Sequence, residues 1–234
     1  MAVLDVTRAE LALLALYLSK AETRDKICRA IQYGSKAISG GQPGIAQGIE
    51  KNTSQARKVF RLAKFLNDVQ VLLTPAPKDS PLPIVVLTKI KHALLFGYFS
   101  LDSFVWFGRS NIYKNKEKTE LLSKVSLYCW TVSTVVSAII EIAEISRISA
   151  KERKKSGLVD GAADEAEKAA DAEKIKARMI ALIRSNLDTV VGIGLVGLAP
   201  ETVTPRMTGT LGLITSLIAC YQQFPAHPTK AKAA

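Results

Sequence analysis

The stretch that decides the fold reads VSLYCWTVSTVVSAII and covers residues 125–140 without a single charge. Outward from it, apolar and charged blocks alternate along the chain. A basic polar loop at 109–118 and an apolar run at 92–108 precede it. A highly charged segment at 147–178 follows it, and two further apolar runs close the chain. Such segregation along the chain is typical of a helical membrane protein. A soluble helix instead carries apolar and charged residues within the same stretch, on opposite faces.

The positive charge is concentrated in the N-terminal part of the chain. The 234 residues carry a net charge of +11, and between Lys20 and Lys64 ten basic residues stand against three acidic ones. Nucleic acid and anionic lipid are the usual partners of such an excess. Apolar segments beside the basic ones favour an anionic phospholipid membrane. We expect no nucleic-acid partner, because no zinc-ligand spacing, RNA-stacking signature or basic zipper is present.

The turn and breaker residues divide the chain into regions of an all-α fold with membrane-embedded helices. Residues 1–73 are predicted to form an N-terminal helical region, followed by a Pro-rich linker at 74–91. Residues 92–226 form the membrane-associated region, and 227–234 form a tail. The charged connector 147–178 is expected to be either a flexible link or a solvated helix.

The apolar runs differ in their fitness to cross a bilayer. The best candidates are 92–108 and 207–224, although the first is short for a hydrocarbon core of about 30 Å. It also carries Asp102, and ionisable residues are costly inside a membrane. The runs 125–140 and 189–200 are each too short to cross alone. We expect them to lie in the interface or to pack against the spans.

A third helix is predicted from about residue 49 to residue 73, and its part at 51–73 is amphipathic. At about 100° per residue, an apolar face lies opposite a basic one. The apolar side carries Val59, Leu62, Leu66, Val69 and Leu73, with Phe65 at its edge, and the basic side carries Arg57, Arg61 and Lys64. Such a helix either lies in a bilayer interface, with its cations on lipid phosphates, or packs on the surface of a bundle. The pattern alone favours the bundle.

The sequence assembles no catalytic or metal site. GIGLVG at 192–197 matches the dinucleotide-binding pattern, but Pro200 ends the segment and no acidic residue follows about 20 positions on. Glu141 and Glu144 share a helix face where apolar sequence meets charged sequence, which is typical of a solvated helix end. The three cysteines have neither disulfide nor metal-ligand spacing. We therefore expect a protein that is not an enzyme and holds no cofactor and no metal.

The C-terminus ends in Lys230-Ala231-Lys232-Ala233-Ala234, a K-x-K-x-x pattern. Coat-protein receptors read lysines at these distances from a free cytosolic terminus. The pattern predicts a sorting signal at Lys230 and Lys232 with coatomer as its partner. A basic tail that arose by chance is the alternative.

Ordered stretches run through nearly the whole chain and carry a family likeness. They are TRDKICRAIQY at 23–33, RKVFRLAKF at 57–65, LDS at 101–103 before an aromatic run, and the apolar tail with its K-x-K-x-x end. Together they resemble the peroxisomal membrane protein 11 (peroxin-11) family, in particular its plant members. The Ala-rich region at 160–175 is the least distinctive part.

This resemblance implies a multi-pass protein of the peroxisomal membrane, with residues 1–73 and both termini in the cytosol. Family members form homo-oligomers, associate with related members, and insert an amphipathic helix that maps onto about 51–73 here. Wedging the cytosolic leaflet elongates the organelle, after which a fission adaptor and a dynamin-related GTPase divide it. The implied function is peroxisome elongation, proliferation and fission. The resemblance therefore favours the interpretation in which this helix inserts into lipid over the one in which it packs on a bundle.

Two other classes of function fit parts of the pattern. A pore or channel for small metabolites would line its path with Asp102 and the hydroxyl residues of the uncharged run, namely Ser126, Thr131, Ser133, Thr134 and Ser137. A soluble helical adaptor would have no membrane span, and alkaline carbonate would wash it off.

Overall fold

The computed structural model describes residues 2–77, 80–155 and 162–225, and all regular structure in these ranges is helical. The helices are α1 (Ala2–Ser19), α2 (Ala21–Ser39), α3 (Ile45–Phe60), α4 (Phe65–Leu73), α5 (Leu82–Arg109), α6 (Lys116–Lys155), α7 (Ala162–Val196) and α8 (Pro205–Gln223). They divide into two compact units, one of residues 1–61 with 205–234 and one of residues 62–204. The all-α class predicted from the sequence is confirmed.

The first unit contains α1, α2, α3 and α8, and its closest packing lies between α2 and α8. Two glycines of α8 permit it. A Cβ at Gly209 would clash with the backbone of Ala37, and one at Gly212 would clash with the ring of Tyr33. Small residues let helix backbones approach in this way, as they do in membrane helix pairs. The small residues of 207–224 therefore serve helix packing.

The first unit also brings α1 and the end of α8 together. The Tyr17 hydroxyl on α1 donates a hydrogen bond of 2.9 Å to the carbonyl of Cys220 on α8. The ring of Tyr17 lies 5.1 Å from that of Phe224. Burial, and then the Cys220 contact, raise the pKa of Tyr17 to about 12. The phenol therefore stays protonated and donates this bond throughout the physiological range.

The second unit contains α4 to α7 and is built from antiparallel neighbours. Gly97 and Gly108 of α5 face Cys129 and Thr119 of α6 respectively, so the two helices run in opposite directions. Between α6 and α7, Thr134 bonds Thr189 at 3.0 Å and Glu141 accepts from Arg178 at 3.1 Å. In each pair the residue number rises on one helix as it falls on the other, which identifies an antiparallel hairpin.

Three helices of the described chain are long and apolar enough to cross a membrane: α5 over Leu82–Arg109, α6 over Lys116–Arg153 and α7 over Glu167–Val196. The predicted span at 92–108 lies inside α5, whose 28 residues extend about 42 Å.

Two predictions about spans need correction. The runs 125–140 and 189–200 are not independent short segments, because their charged flanks continue α6 and α7 as helix. The run 207–224 forms α8, which is not among the span candidates in the described residues. It is uncharged, but its many Gly, Thr, Ser and Gln residues keep its hydropathy low.

The charged connector at 147–178 is helical where the structure describes it. Helix α6 continues to Lys155 and α7 begins at Ala162. Lys151 pairs with Glu167 across the two helices at 3.4 Å, and Lys174 pairs with Asp171 at 2.6 Å within α7. Of the two alternatives weighed for this segment, the solvated helix describes these ranges.

Candidate membrane-contact surface

Helix α6 has an exposed face that is apolar along most of its length. Its exposed side chains recur at intervals of three and four residues and thus form one stripe. The stripe consists of Leu121, Val125, Tyr128, Val132, Val135, Ile139 and Ile142. An apolar surface of this extent is rare on a soluble monomer and marks contact with another apolar phase.

The buried face of α6 is the polar one. Ser126, Ser133 and Thr134 are buried there, together with Glu141 and Glu144 near the end of the apolar stretch. The hydroxyls of Ser133 and Thr134 donate to the carbonyls of Trp130 and Thr131, at 2.7 Å each. This distribution inverts that of a soluble helix and satisfies the polar groups inside the protein, as a hydrocarbon surrounding requires.

In the first unit, the predicted basic side of the amphipathic segment is buried. Asp25 of α2 lies 3.1 Å from Arg57 Nε and 3.6 Å from Arg61 Nε. Arg57 Nη1 also donates to Gln32 Oε1 at 2.6 Å. Arg57 is 8% exposed and Asp25 only 3%. Burial, and then the neighbouring Arg61, lower the pKa of Arg57, while Asp25 raises it.

Two of the three predicted lipid-facing cations therefore pair inside the protein. Arg57 and Arg61 hold α3 against α2 through Asp25, since a buried arginine requires a counter-charge. The expectation that both cations lie on an open polar face is wrong. A helical wheel places them correctly opposite the apolar side, but it cannot show that Asp25 faces them.

The single helix predicted over 51–73 is also wrong, because it is two helices. Helix α3 ends at Phe60 and α4 begins at Phe65. Between them Ala63 has a φ of 60°, the left-handed conformation that costs a non-glycine residue about 1–2 kcal/mol. The Leu66 and Asn67 amides donate to Ala63 and Lys64 carbonyls at 3.0 and 3.1 Å, which starts a new helix.

The break between α3 and α4 can be tested by the sign of the change in the free energy of unfolding when Ala63 is replaced. Ala63→Gly removes the steric cost of positive φ, and we expect the free energy of unfolding to stay equal or rise by up to about 1 kcal/mol. In a continuous helix the same change would lower it by about 1 kcal/mol. Ala56→Gly, at an exposed position within α3, is the matched control and should lower it by that amount. Thermal unfolding of the detergent-purified protein measures both, and a lower melting temperature for Ala63→Gly would contradict the break.

In the second unit, α4 uses its polar and aromatic residues to contact α5. Asp68 is buried and lies 2.8 Å from His92 Nδ1. The ring of Phe65 meets that of Phe96 edge-on at 5.9 Å, and the Lys64 ammonium lies 5.3 Å from the centre of the Phe99 ring. Lys64, the third predicted cation, is therefore engaged by an aromatic ring.

The apolar residues predicted to face lipid divide between exposed and half-buried positions. Leu66 and Leu73 are 57% and 78% exposed on α4, and Val59 is 47% exposed on α3. Leu62, Phe65 and Val69 are half-buried. Ile45 and Ile49, which precede the predicted amphipathic segment 51–73, extend the exposed apolar side of α3. Their spacing from Val59 at helical positions was the signal that could have found them.

The predicted sorting residues Lys230 and Lys232 lie outside the described residues. The described residues contain no cluster of three or more side chains that could together hold a metal ion.

An apolar exterior and a polar interior in long antiparallel helices define a helical membrane protein. Comparison with known proteins then gives the family. The model of peroxisomal biogenesis factor 11 (PEX11) matches residues 11–224. The chain belongs to this family of peroxisomal membrane proteins, which acts in peroxisome biogenesis and is not a family of enzymes.

Individual relatives match along nearly the full length. The chain is 56% identical to peroxisomal membrane protein 11E of Arabidopsis thaliana, with 97% of this chain and 98% of that protein aligned. It is 54% identical to protein 11D of the same plant, with 96% of each aligned. It is 50% identical to protein 11-1 of Oryza sativa subsp. japonica, with 97% of each aligned. No solved structure matches the chain. The family resemblance inferred from the sequence is confirmed.

Proposed function

We propose that this chain elongates the peroxisomal membrane and promotes peroxisome proliferation and fission by inserting apolar helix faces into the cytosolic leaflet. The observation that carries the proposal is the exposed apolar side of the two short helices. Leu66 and Leu73 point outward from α4, while Asp68 on its other side is buried. Ile45 and Val59 are exposed on α3, while Arg57 is buried.

The arrangement supports shallow insertion by preformed apolar faces, one on each helix. The buried pairs of Arg57 and Asp68 fix the roll of each helix, so the apolar side is presented without a further ordering cost. Each exposed apolar side chain that enters the acyl boundary contributes about 1 kcal/mol, below the figure for full burial. Insertion at this depth expands one leaflet relative to the other, and the membrane then bends. The mechanism no longer requires Arg57 and Arg61 to bind lipid phosphates.

Reconstitution of the full-length chain tests this proposal directly. Purified protein in vesicles of phosphatidylcholine with an anionic phospholipid should draw out tubules, visible by electron microscopy. Protein-free vesicles of the same composition are the control. Vesicles that stay spherical at full protein incorporation would contradict the insertion mechanism.

A multi-pass topology with both termini in the cytosol is part of the proposal. Support comes from the first unit, in which Tyr17 near the N-terminus contacts Cys220 and Phe224 near the C-terminus. Both termini then lie on one side, which requires an even number of crossings. The α5–α6 hairpin supplies two. Helix α7 packs along α6, with Thr189 bonded to Thr134, and carries Arg184 and Asp188 in its apolar half. It is then the span candidate that enters the membrane beside α6 without completing a crossing.

Protease protection on intact peroxisomes reports this topology. Tags at either terminus should be digested, and a tag in the loop between α5 and α6 should be protected. A protected C-terminal tag would instead indicate that α5, α6 and α7 all cross.

The partners follow from this placement. We propose that the chain forms homo-oligomers, that related family members join them, and that a fission adaptor and a dynamin-related GTPase act on the elongated membrane. A cytosolic tail also leaves Lys230 and Lys232 accessible to coatomer.

A pore for small metabolites is the second candidate. Asp102 is buried within α5, and the polar face of α6 turns inward. The packing opposes an open path, because a Cβ at Gly192 would clash with Thr131 and the Thr131 hydroxyl donates to the Leu127 carbonyl at 2.8 Å. Solute flux through reconstituted vesicles that falls with Asp102→Asn would favour the pore.

A further inference from the structure

The second unit contains a cavity of about 460 Å³ that the proposed membrane-bending mechanism does not use. It is lined by the end of α4, the following Pro-rich segment, the first turns of α5, and parts of α6 and α7. At this end α5 begins, the uncharged stretch of α6 finishes and the apolar half of α7 starts. The cavity therefore lies where the apolar zone of the helices meets their charged ends, at the level of a membrane interface.

The cavity wall has an apolar part and a charged part. Its apolar part includes Val71, Ile84, Val85 and Ile140, and its charged part consists of Lys89, Lys91, Glu141, Glu144 and Arg178. Three cations against two carboxylates give this part a net positive charge. A volume of this order accommodates a small ligand or the headgroup end of a larger one.

Four of the five charged residues are already engaged. Lys89 Nζ donates to the carbonyls of Val71, Leu72 and Thr74 at 2.6 to 2.8 Å and so caps the end of α4. Arg178 Nη1 contacts both carboxylate oxygens of Glu141, at 3.1 and 3.4 Å. Glu144 accepts from Arg147 Nη2 at 2.8 Å.

Lys91 is the remaining cation. It is half-buried, and it forms no hydrogen bond or ion pair with the part of the chain that the structure describes. Glu141 and Asp68 attract it electrostatically, but these carboxylates already pair with Arg178 and His92 respectively. A partly desolvated ammonium in a net positive cavity favours an anion from outside the chain, because charge-assisted hydrogen bonds strengthen as water is excluded.

We propose that this cavity binds one anionic glycerophospholipid, with its phosphate on Lys91 Nζ and the start of its acyl chains against Val85 and Ile140. The apolar wall of the cavity and its position at the membrane interface favour a lipid over a soluble anion. A free phosphate would leave the apolar part of the wall, namely Val71, Ile84, Val85 and Ile140, exposed to water. The site needs only that the second unit sits in the membrane. It does not depend on curvature generation by α3 and α4, so the two proposals fail separately.

Native mass spectrometry of the full-length protein tests the site. The protein is taken from nanodiscs of phosphatidylcholine with phosphatidic acid, and the lipids retained per copy are counted. Wild type should retain one phosphatidic acid with a preference of about tenfold over phosphatidylcholine, as expected for one charge-assisted contact. Lys91→Gln should lose that preference, and Lys91→Arg should keep it. Lys176→Gln is the matched control, because it removes the same charge from an exposed α7 position near this end; it should bind as wild type does.

Each other outcome overturns the proposal. Equal retention by wild type and Lys91→Gln would place the lipid elsewhere, and displacement by millimolar inorganic phosphate would identify a site for a soluble anion. If Lys91→Gln does not fold, photocrosslinking of the wild-type protein tests the site instead. Phosphatidic acid with a photoreactive group near the glycerol should crosslink to peptides containing Val85 or Ile140, whereas crosslinks spread evenly along α5, α6 and α7 would show only bulk lipid.

Discussion

Leu66→Asp should abolish elongation of peroxisomes while leaving the protein in their membrane. Leu66 is 57% exposed on the apolar side of α4, so the variant costs little in the folded protein itself. In the acyl boundary the new carboxylate would have to be desolvated or protonated, which opposes insertion by several kcal/mol. The long helices α5 and α6 are untouched, so membrane retention should not change.

Asn67→Asp is the matched control for this experiment. It adds the same charge at the neighbouring exposed position, which already carries a polar side chain. Overproduced wild type and Asn67→Asp should both elongate peroxisomes, measured as aspect ratio by fluorescence microscopy, and carbonate extraction should leave all three proteins in the pellet. Normal elongation by Leu66→Asp would mean that α4 contacts a partner or only packs against the rest of the protein. The proposal that α4 inserts into the cytosolic leaflet would then be wrong.

The long-range pattern of the sequence was sufficient for the fold class and for the span candidate at 92–108, which lies in α5. The charge-free stretches 125–140 and 189–200 were recognised as apolar but were judged too short to cross alone. Their lengths were underestimated, since the charged flanks at Glu141 and beyond continue α6 as helix. Counting outward-facing residues at helical spacing from Leu121 to Ile142 would have given the longer helix.

The break between α3 and α4 could not be predicted in the same way. Residues 61–64 read RLAK and contain neither glycine nor proline, so no local signal marks a turn. The residues on either side of Ala63 make tertiary contacts, each within its own unit. Arg61 bonds toward Asp25 in the first unit, and Lys64 and Phe65 contact α5 in the second. These tertiary contacts override the local helix propensity.

The buried pairing of the cations was hidden for a related reason. Arg57 and Asp25 are 32 positions apart, and only the packing of α2 on α3 brings them together. A pattern within one helix shows that cations share a side, but not whether water, lipid or a carboxylate faces them. Arg57 and Arg61 were therefore found correctly as neighbours and given the wrong surroundings, whereas Lys64 lies beyond the helix break and contacts the Phe99 ring of α5.

Asp25→Asn should unfold the first unit locally, and it separates a structural role of the arginines from a lipid-binding one. The change leaves the buried Arg57 and Arg61 without the carboxylate that both contact. Breaking a buried ion pair from one side costs about 3–5 kcal/mol, because an uncompensated charge stays inside the protein. Hydrogen–deuterium exchange of the reconstituted protein should show faster exchange in α2 and α3. The pair of α5 and α6, which belongs to the second unit, should exchange as in wild type.

Two further variants distinguish a structural role of the arginines from a lipid-binding role. Glu10→Gln neutralises an exposed carboxylate of α1 and should change nothing. Asp25→Asn combined with Arg57→Gln removes one buried cation together with the carboxylate, so its loss of protection should fall short of the sum of the single variants by at least about 1 kcal/mol. If instead Arg57 and Arg61 served lipid phosphates, Asp25→Asn would leave exchange unaltered and tighten binding to anionic vesicles, because two cations would be released toward the surface. Faster exchange in α2 and α3 with unchanged vesicle binding is the result that the buried geometry requires.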